Sequence, residues 1–299
     1  LYRRHIVDWL SDRALVAQLP WVFRAYARFC SAQRGDPLGA EALLRLIIAV
    51  RRRLGLRAPV ALTLSGLTFH LDLQDPRFVR IPGEIGEVGE LLSSFLRPGD
   101  SFVDIGANHG SYSIVASRRV TESGCVIAVE PQARLVDTLR RSLAEGPARF
   151  DVHQAACGES SGEVELFVPL ASSGQAGLFQ AYSARCRHRR WRVAMRRLDE
   201  LVDATRLPGR LVLKVDVEGA EVAVLRGARQ VLATARPVLL VEVNAAALAA
   251  AGSSPRALVE LLAELGYDRR VTRAEPRREV PLHAEITEHD IIALHARTS

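Results

Sequence analysis

Apolar positions along the chain change period twice, and each change predicts a different kind of element. Up to residue 60 they fall at helical spacing: Ile6, Trp9, Leu10 and Val16, then Val22, Phe23, Tyr26 and Phe29. A Gly- and Pro-bearing break over 31–39 separates these from a helix over 41–54 that ends in Arg51, Arg52 and Arg53. From residue 61 the period drops to two. Leu62, Leu64, Leu67, Phe69, Leu71 and Leu73 alternate about Ser65 and Gly66, which predicts a β-hairpin. A helix over 85–95 stops at Pro98-Gly99-Asp100. Short apolar runs then predict strands at 101–105, 126–129, 150–155, 164–168, 211–217 and 238–243. Helices are expected at 110–119, 133–143, 220–233 and 255–265, and a closing strand pair at 267–272 and 290–295. Apolar strands alternating with helices imply a parallel sheet covered on both faces. The expected organisation is a helical N-terminal extension over 1–60 and one α/β domain over 61–299.

Composition narrows the class. At 299 residues, 48% apolar and 25% charged, the chain has the balance of a globular protein and the length for one large domain with a small extension or for two modest domains. Its most apolar stretch, 238–252, is broken by Glu242 and Asn244 and falls short of the ~18–20 residues a membrane span needs. Asp8 and Asp12 interrupt the N-terminal stretch that a secretory leader would use. A cytoplasmic protein without a transmembrane segment is expected. Cys30, Cys125, Cys157 and Cys186 stand far apart, so neither a zinc framework nor a disulfide scaffold is expected. No local spacing of His, Asp or Cys predicts a metal site.

The net charge of +6 is almost all arginine, since Lys214 is the only lysine among 40 basic residues. A bias of that kind argues only weakly for a nucleic-acid partner. The densest run is Arg185, Arg187, His188, Arg189, Arg190, Trp191 and Arg192. It reads either as a recognition loop for an acidic acceptor, where arginine forks meet phosphate or carboxylate, or as a solvated loop in an arginine-rich protein.

Two segments carry candidate chemistry. In Phe102–Gly110 a strand runs into a glycine turn that opens a helix. Gly106 and Gly110 allow backbone conformations that other residues resist. Asp104 is a carboxylate at the end of an apolar strand, costly there without a partner. Glu130, followed by Pro131, ends the next strand, 24 residues beyond Gly106, where a carboxylate can accept from both ribose hydroxyls. A dinucleotide turn reads G-x-G-x-x-G. Here the turn is Gly-Ala-Asn-His-Gly, with an acid two residues before it. That acid suits a cationic ligand without phosphates, and S-adenosylmethionine (SAM) is favoured over NAD.

The second segment is Val212–Glu221, where Lys214, Asp216 and Glu218 alternate with apolar residues at the end of a strand. Charges there are expensive unless paired or used. They make either a Lys–Asp pair joining two elements or a reaction centre with Asp216 at the strand tip. Glu221 reads as a charge at a helix N-terminus.

Together these segments, with Val126–Pro131, Arg197-Leu198-Asp199-Glu200-Leu201, Arg226-Gly227-Ala228 and Arg236–Val243, resemble the FkbM-type methyltransferase family. The resemblance implies a doubly wound, seven-stranded Rossmann-like class I sheet, SAM as cofactor, and O-methylation of a hydroxyl on a sugar or natural-product acceptor. It implies that Asp104, Gly106, Ala107, Asn108 and Gly110 hold the methionine end. Glu130 and Pro131 would take the ribose, and Gln154, Ala155 and Ala156 would border the adenine. A hydroxyl is a poor nucleophile, so a general base is expected. The candidates are His109, Asp216 and Glu218, with Glu242 as a further carboxylate. The competing classes are a nucleic-acid methyltransferase, a nicotinamide-dependent oxidoreductase and a non-catalytic SAM-binding protein. An aromatic content of 6% is sparse for a base-stacking surface.

Overall fold

A computed structural model describes residues 59–64, 66–72, 75, 77, 81–169, 173–179, 187–273, 275–284 and 290–296. The expected N-terminal helices, Cys30, Arg185 and Cys186 lie outside the described residues. The predicted hairpin forms from β1 (Val60–Leu64) and β2 (Leu67–Leu71), with Leu64 opposite Leu67 and Gly66 at φ 75° in the turn. It is not part of the central sheet. It packs on a helix, where the His70 backbone N–H donates to Ser142 Oγ at 2.8 Å.

The chain continues through α1 (Ile81–Phe95), β3 (Ser101–Ile105), α2 (Ser111–Val120), β4 (Cys125–Val129), α3 (Ala133–Ala144) and β5 (Arg149–His153). Next come β6 (Ala156–Cys157), β7 (Gly162–Pro169), β8 (His188–Arg196), α4 (Leu198–Leu201), β9 (Leu211–Val215), α5 (Glu221–Arg226) and α6 (Arg229–Ala235). The described fold ends with β10 (Val238–Glu242), α7 (Ala245–Ala250), α8 (Pro255–Glu264), β11 (Tyr267–Val271), β12 (Val280–Pro281) and β13 (Asp290–His295).

The central sheet has the order β12-β11-β13-β10-β9-β3-β4-β5. β10, β9, β3, β4 and β5 are parallel, and β13 runs antiparallel between β10 and β11. Seven strands of ordinary length make the doubly wound sheet; the two-residue β12 adds an eighth at the edge. From β3 the chain winds outward through β4 and β5, then returns to the other side of β3 as β9 and β10. The strand order therefore reverses between β3 and β9, and the crevice outside their carboxyl ends is where such folds bind ligands.

Residues alternate cleanly between two cores. Phe102, Val126, Val152, Val212, Leu240 and Ile292 face α1, α2 and α3. Val103, Ile105, Leu213, Val215, Val241 and Ile291 face the helices from α4 onward. On the first face this alternation ends in charge: Asp104 follows Phe102, Lys214 follows Val212, Glu242 follows Leu240, and Asp290 precedes Ile292. The registers place Asp104 beside Lys214 and Glu242 beside Asp290. One period-two pattern thus makes both a core layer and a polar floor.

Three expectations are corrected. The strand at 164–168 exists as part of β7 but belongs to a separate three-stranded sheet, β6-β8-β7. Its first half, with Glu163 and Glu165 exposed, could not sit in a layer covered on both sides. Residues 188–192 of the arginine run form the start of β8, not a loop, with Arg189 opposite Val168 and Trp191 opposite Leu166. The helix expected at 220–233 divides into α5 and α6 at Gly227, where the backbone passes so close to Gly158 that a Cβ would land on its carbonyl oxygen. Asp199 caps the second piece, accepting from the backbone N–H groups of Gln230 and Val231 at 3.0 Å.

Candidate active site

A cavity of about 320 Å³ opens at the reversal point. The glycine turn forms one wall. Gly106 takes φ 80°, and a Cβ there would land on the backbone carbonyl oxygen of Asp216, so the turns after β3 and β9 touch backbone to backbone. Asn108 (φ 53°) and Glu218 (φ 51°) also hold left-handed backbone, one on each turn, a conformation that costs on the order of 1–3 kcal/mol for such residues. Gly110 (φ 85°) serves packing instead. A Cβ there would strike Leu139 of α3, and the residue does not line the cavity.

Glu130 stands at the end of β4, 3% exposed. The backbone N–H of Asn108 donates to its Oε2 and that of Gln132 to its Oε1, both at 2.9 Å, which fixes the carboxylate against the glycine turn. Burial pushes its pKa up to about 7, and those two N–H groups oppose the rise. Ala107, Asn108, Pro131, Ala155 and Ala156 line the cavity beside it, together with Val129 and Leu166. Gln154 is exposed and does not reach the cavity wall. Asp104 does not reach it either: fully buried, it accepts from Ser113 Oγ at 2.6 Å and lies 3.4 Å from Lys214 Nζ.

The opposite end is acidic. Asp216, Glu218 and Glu242 bring carboxylate oxygens within 4.8 Å of one another, although Glu242 belongs to another strand. Burial works to raise the Asp216 pKa, but Lys214, 3.1 Å away, and Arg77 hold it below the usual carboxylate range. Burial and the charges of Asp216 and Glu218 push Glu242 up to about 10, so this group of three carboxylates keeps a proton at neutral pH. The Lys214 ammonium also lies 4.8 Å over the Tyr112 ring, and burial pushes the Tyr112 hydroxyl up to about 12. Glu221 is fully buried. Its Oε1 accepts from the Val217 and Gly219 N–H groups at 3.2 and 3.1 Å, so it shapes the turn after β9.

His109 lines the cavity at 2% exposure, with Nε2 3.5 Å from Asp75 Oδ2. Asp75 also meets Arg134 at 2.9 Å and accepts from the Arg77 backbone N–H at 3.1 Å. Burial would raise the Asp75 carboxyl, yet His109 and Arg134 hold it far below the ordinary range. The pairing fastens the segment after the hairpin to the glycine turn. The same segment carries Arg77 to the cavity, where its guanidinium lies 3.5 Å from Glu84 of α1.

The structure therefore gathers Gly106, Ala107, Asn108, His109, Glu130, Pro131, Ala155, Ala156, Asp216 and Glu218 around one cavity. It leaves Asp104, Gly110 and Gln154 outside the wall, and none of the described residues of the arginine run lines it. Sequence reasoning missed Arg77, Glu84, Tyr112, Arg273 and Asp290, all of which line it. Lone charges at separate places in the chain carry no local signal; only the single lysine beside its acids hinted at this floor.

The cavity accords with a cationic cofactor without phosphates. A carboxylate is fixed where ribose hydroxyls would donate, small apolar residues flank it, and carboxylates crowd the far end. Among the described residues, the cations on its wall (Arg77, Lys214 and Arg273) each lie within 4 Å of a carboxylate.

Residues 104–269 match the model of the methyltransferase FkbM domain. The chain is 27% identical over 224 residues to the hexuronic acid methyltransferase AglP of Haloferax volcanii, covering 73% of this chain and 85% of that protein. A solved methyltransferase FkbM from Methylobacillus flagellatus is 20% identical and matches 57% of this chain with a TM-score of 0.33. The match spans 44% of that chain, less than half its length. A SAM-dependent O-methyltransferase from Thermotoga maritima is 12% identical, with 81% and 80% of the two chains covered and a TM-score of 0.38. No helix among the described residues is long and apolar enough to cross a membrane. With more than half of its length matched by the domain, the chain belongs to the FkbM methyltransferase family.

Proposed function

We propose that this chain transfers the methyl group of S-adenosylmethionine to a hydroxyl oxygen of a sugar or related polyol. The observation that carries the reading is the carboxylate cluster Asp216–Glu218–Glu242, held beside the glycine turn at the strand reversal. The relative named for hexuronic acid methylation supports a sugar acceptor.

When bound, the cofactor supplies an activated methyl group, so the protein's work is alignment and removal of one proton. The backbone of Gly106–Asn108 and the Glu130 carboxylate orient the cofactor's methionine and ribose parts. Pro131, Ala155 and Ala156 flank its base. Asp104 acts at one remove, by helping to hold Lys214 in place. Lys214 in turn fixes the Asp216 carboxylate as an anion. Asp216, with Glu218 beside it, accepts the hydroxyl proton, and Glu242, which already carries a proton, bonds to Asp216 and keeps it oriented. Positioning of this kind lowers barriers by roughly 7–11 kcal/mol. A general base adds about 10²–10⁴-fold. His109, tied to Asp75, is the second candidate for the proton; its contacts favour a role in holding the turn.

The test pairs binding with turnover. Calorimetric titration should show saturable SAM binding that Glu130→Ala weakens and that NAD does not reproduce. Asp216→Asn should keep SAM binding and lose about 10²–10⁴-fold in transfer of a labelled methyl group to sugar hydroxyls. Full turnover by Asp216→Asn would overturn the base assignment, and folded protein that ignores SAM would overturn the methyltransferase reading.

A further inference from the structure

The acceptor end of the cavity lies beyond β9, toward β10, β13 and α1, and its charges are unbalanced. Its three cations among the described residues are already engaged. Lys214 lies 3.4 and 3.1 Å from Asp104 and Asp216, Arg77 lies 3.5 Å from Glu84, and Arg273 lies 3.5 Å from Asp290 and 3.8 Å from Glu87. Facing them on the same wall are Glu84, Glu87, Asp216, Glu218, Glu242 and Asp290. With one proton kept on Glu242, five negative charges remain against three positive ones among the described residues of this wall. Asp290 and Glu87 sit at the outer part of this wall, with 37% and 59% of their side-chain surface accessible, so the excess begins where an acceptor enters. A narrow cleft with low-dielectric walls concentrates such a field, and placing like charges together costs several kcal/mol.

From this wall we infer that the acceptor carries no negative charge: the enzyme prefers an amine-bearing polyol to a neutral one, and a neutral one to a carboxylate-bearing one. The inference rests on reading this cavity as a methyl-acceptor site. It runs against the acidic acceptor that one reading of the arginine run offered, none of whose described residues lines the cavity, and it separates this chain from what the name of the Haloferax relative says of that protein. A protonated amine would meet Asp290 and Glu87, two carboxylates that share the one guanidinium of Arg273, whereas a carboxylate would find, among the described residues, only cations already matched by at least one acid.

The experiment uses three pyranoses that each depart from glucose at one position: glucosamine at C2, methyl glucoside at the anomeric oxygen and glucuronic acid at C6. Each is titrated at pH 7 and low salt into protein saturated with S-adenosylhomocysteine, with binding read by saturation-transfer NMR. Affinity should fall in that order, by at least about tenfold between the first and last. The ratio should shrink at 0.5 M salt and in Asp290→Asn. Glucuronic acid binding as tightly as glucosamine, or no binding by any of the three, overturns the inference. Titration of S-adenosylhomocysteine alone separates the two readings. If it binds while the order is reversed, only the charge inference fails; if it does not bind, the methyltransferase reading fails with it. Locating the methyl group of an amino-sugar product by fragmentation or NMR would separate them further, since methyl on nitrogen keeps the charge inference and removes O-methylation.

Discussion

Lys214 Nζ stands 3.1 Å from Asp216 Oδ2, and its other acid, Asp104, lies 3.4 Å away on the neighbouring strand. The only lysine of the chain therefore bridges the acid before the glycine turn and the acid at the tip of β9. That geometry joins the two segments that stood out in the sequence. The Lys–Asp contact exists, and Asp216 lines the cavity as well.

Lys214→Met should leave Asp104 buried without its cation and cost about 3–5 kcal/mol in urea denaturation, the usual consequence of breaking one side of a buried pair. With Lys214 gone, burial is opposed by Arg77 and the hydrogen bond from Glu242, and the Asp216 pKa should rise. The acid limb of the pH–rate profile should then move to higher pH. A variant with wild-type stability and an unmoved acid limb would contradict this.

SAM affinity should rise as pH increases through about 7. Burial raises Glu130 to that value, and only the ionised carboxylate leaves both oxygens free of protons to accept from ribose hydroxyls. Near pH 7, cofactor binding should release protons, which calorimetry in buffers of different ionisation enthalpy would count. Glu130→Gln should bind more weakly and without that pH dependence.

Glu242 should make the fold less stable in base. Its pKa is raised from 4.5 to about 10, so between those values the folded state holds a proton that the unfolded state has lost. The stability that this proton contributes is fully present below about 4.5 and is lost as pH rises toward 10. Glu242→Gln should flatten the decline, measured as the denaturation midpoint from pH 6 to 9. An unchanged slope would refute the shift.

Asp199→Ala should cost about 0.5–2 kcal/mol, because it removes the acceptor for the first N–H groups of α6. SAM affinity should not change, since Asp199 lies outside the cavity. Thermal melting and SAM titration on the same variant would test both halves. The Arg197–Asp199 segment, which contributes to the family resemblance, therefore supports the fold and not the chemistry.

Local pattern alone determined the α/β class, the hairpin, the parallel strands and the glycine turn. Burial imposes period two on strands and near-four on helices, and the positive φ at Gly106 needs the residue found there. It also singled out Glu130 and the Lys214–Glu218 run, because charge inside an apolar strand is expensive enough to mark use. What it could not supply depends on separate strands meeting. Glu242 joins Asp216 only because β10 lies beside β9, Asp290 joins Glu242 only because β13 inserts antiparallel next to β10, and Arg77 arrives on a segment pinned by Asp75 and His109. Asp104 and Gly110 belong to the turn motif yet lie off the cavity wall: the Asp104 side chain points to Lys214, and Leu139 fills the space where Gly110 would carry a Cβ. The arginine run was conspicuous by composition, but long flexible cations stay in water at little cost, and tertiary structure placed its residues 188–192 on β8, in a sheet apart from the central one, while the acids lined the cavity.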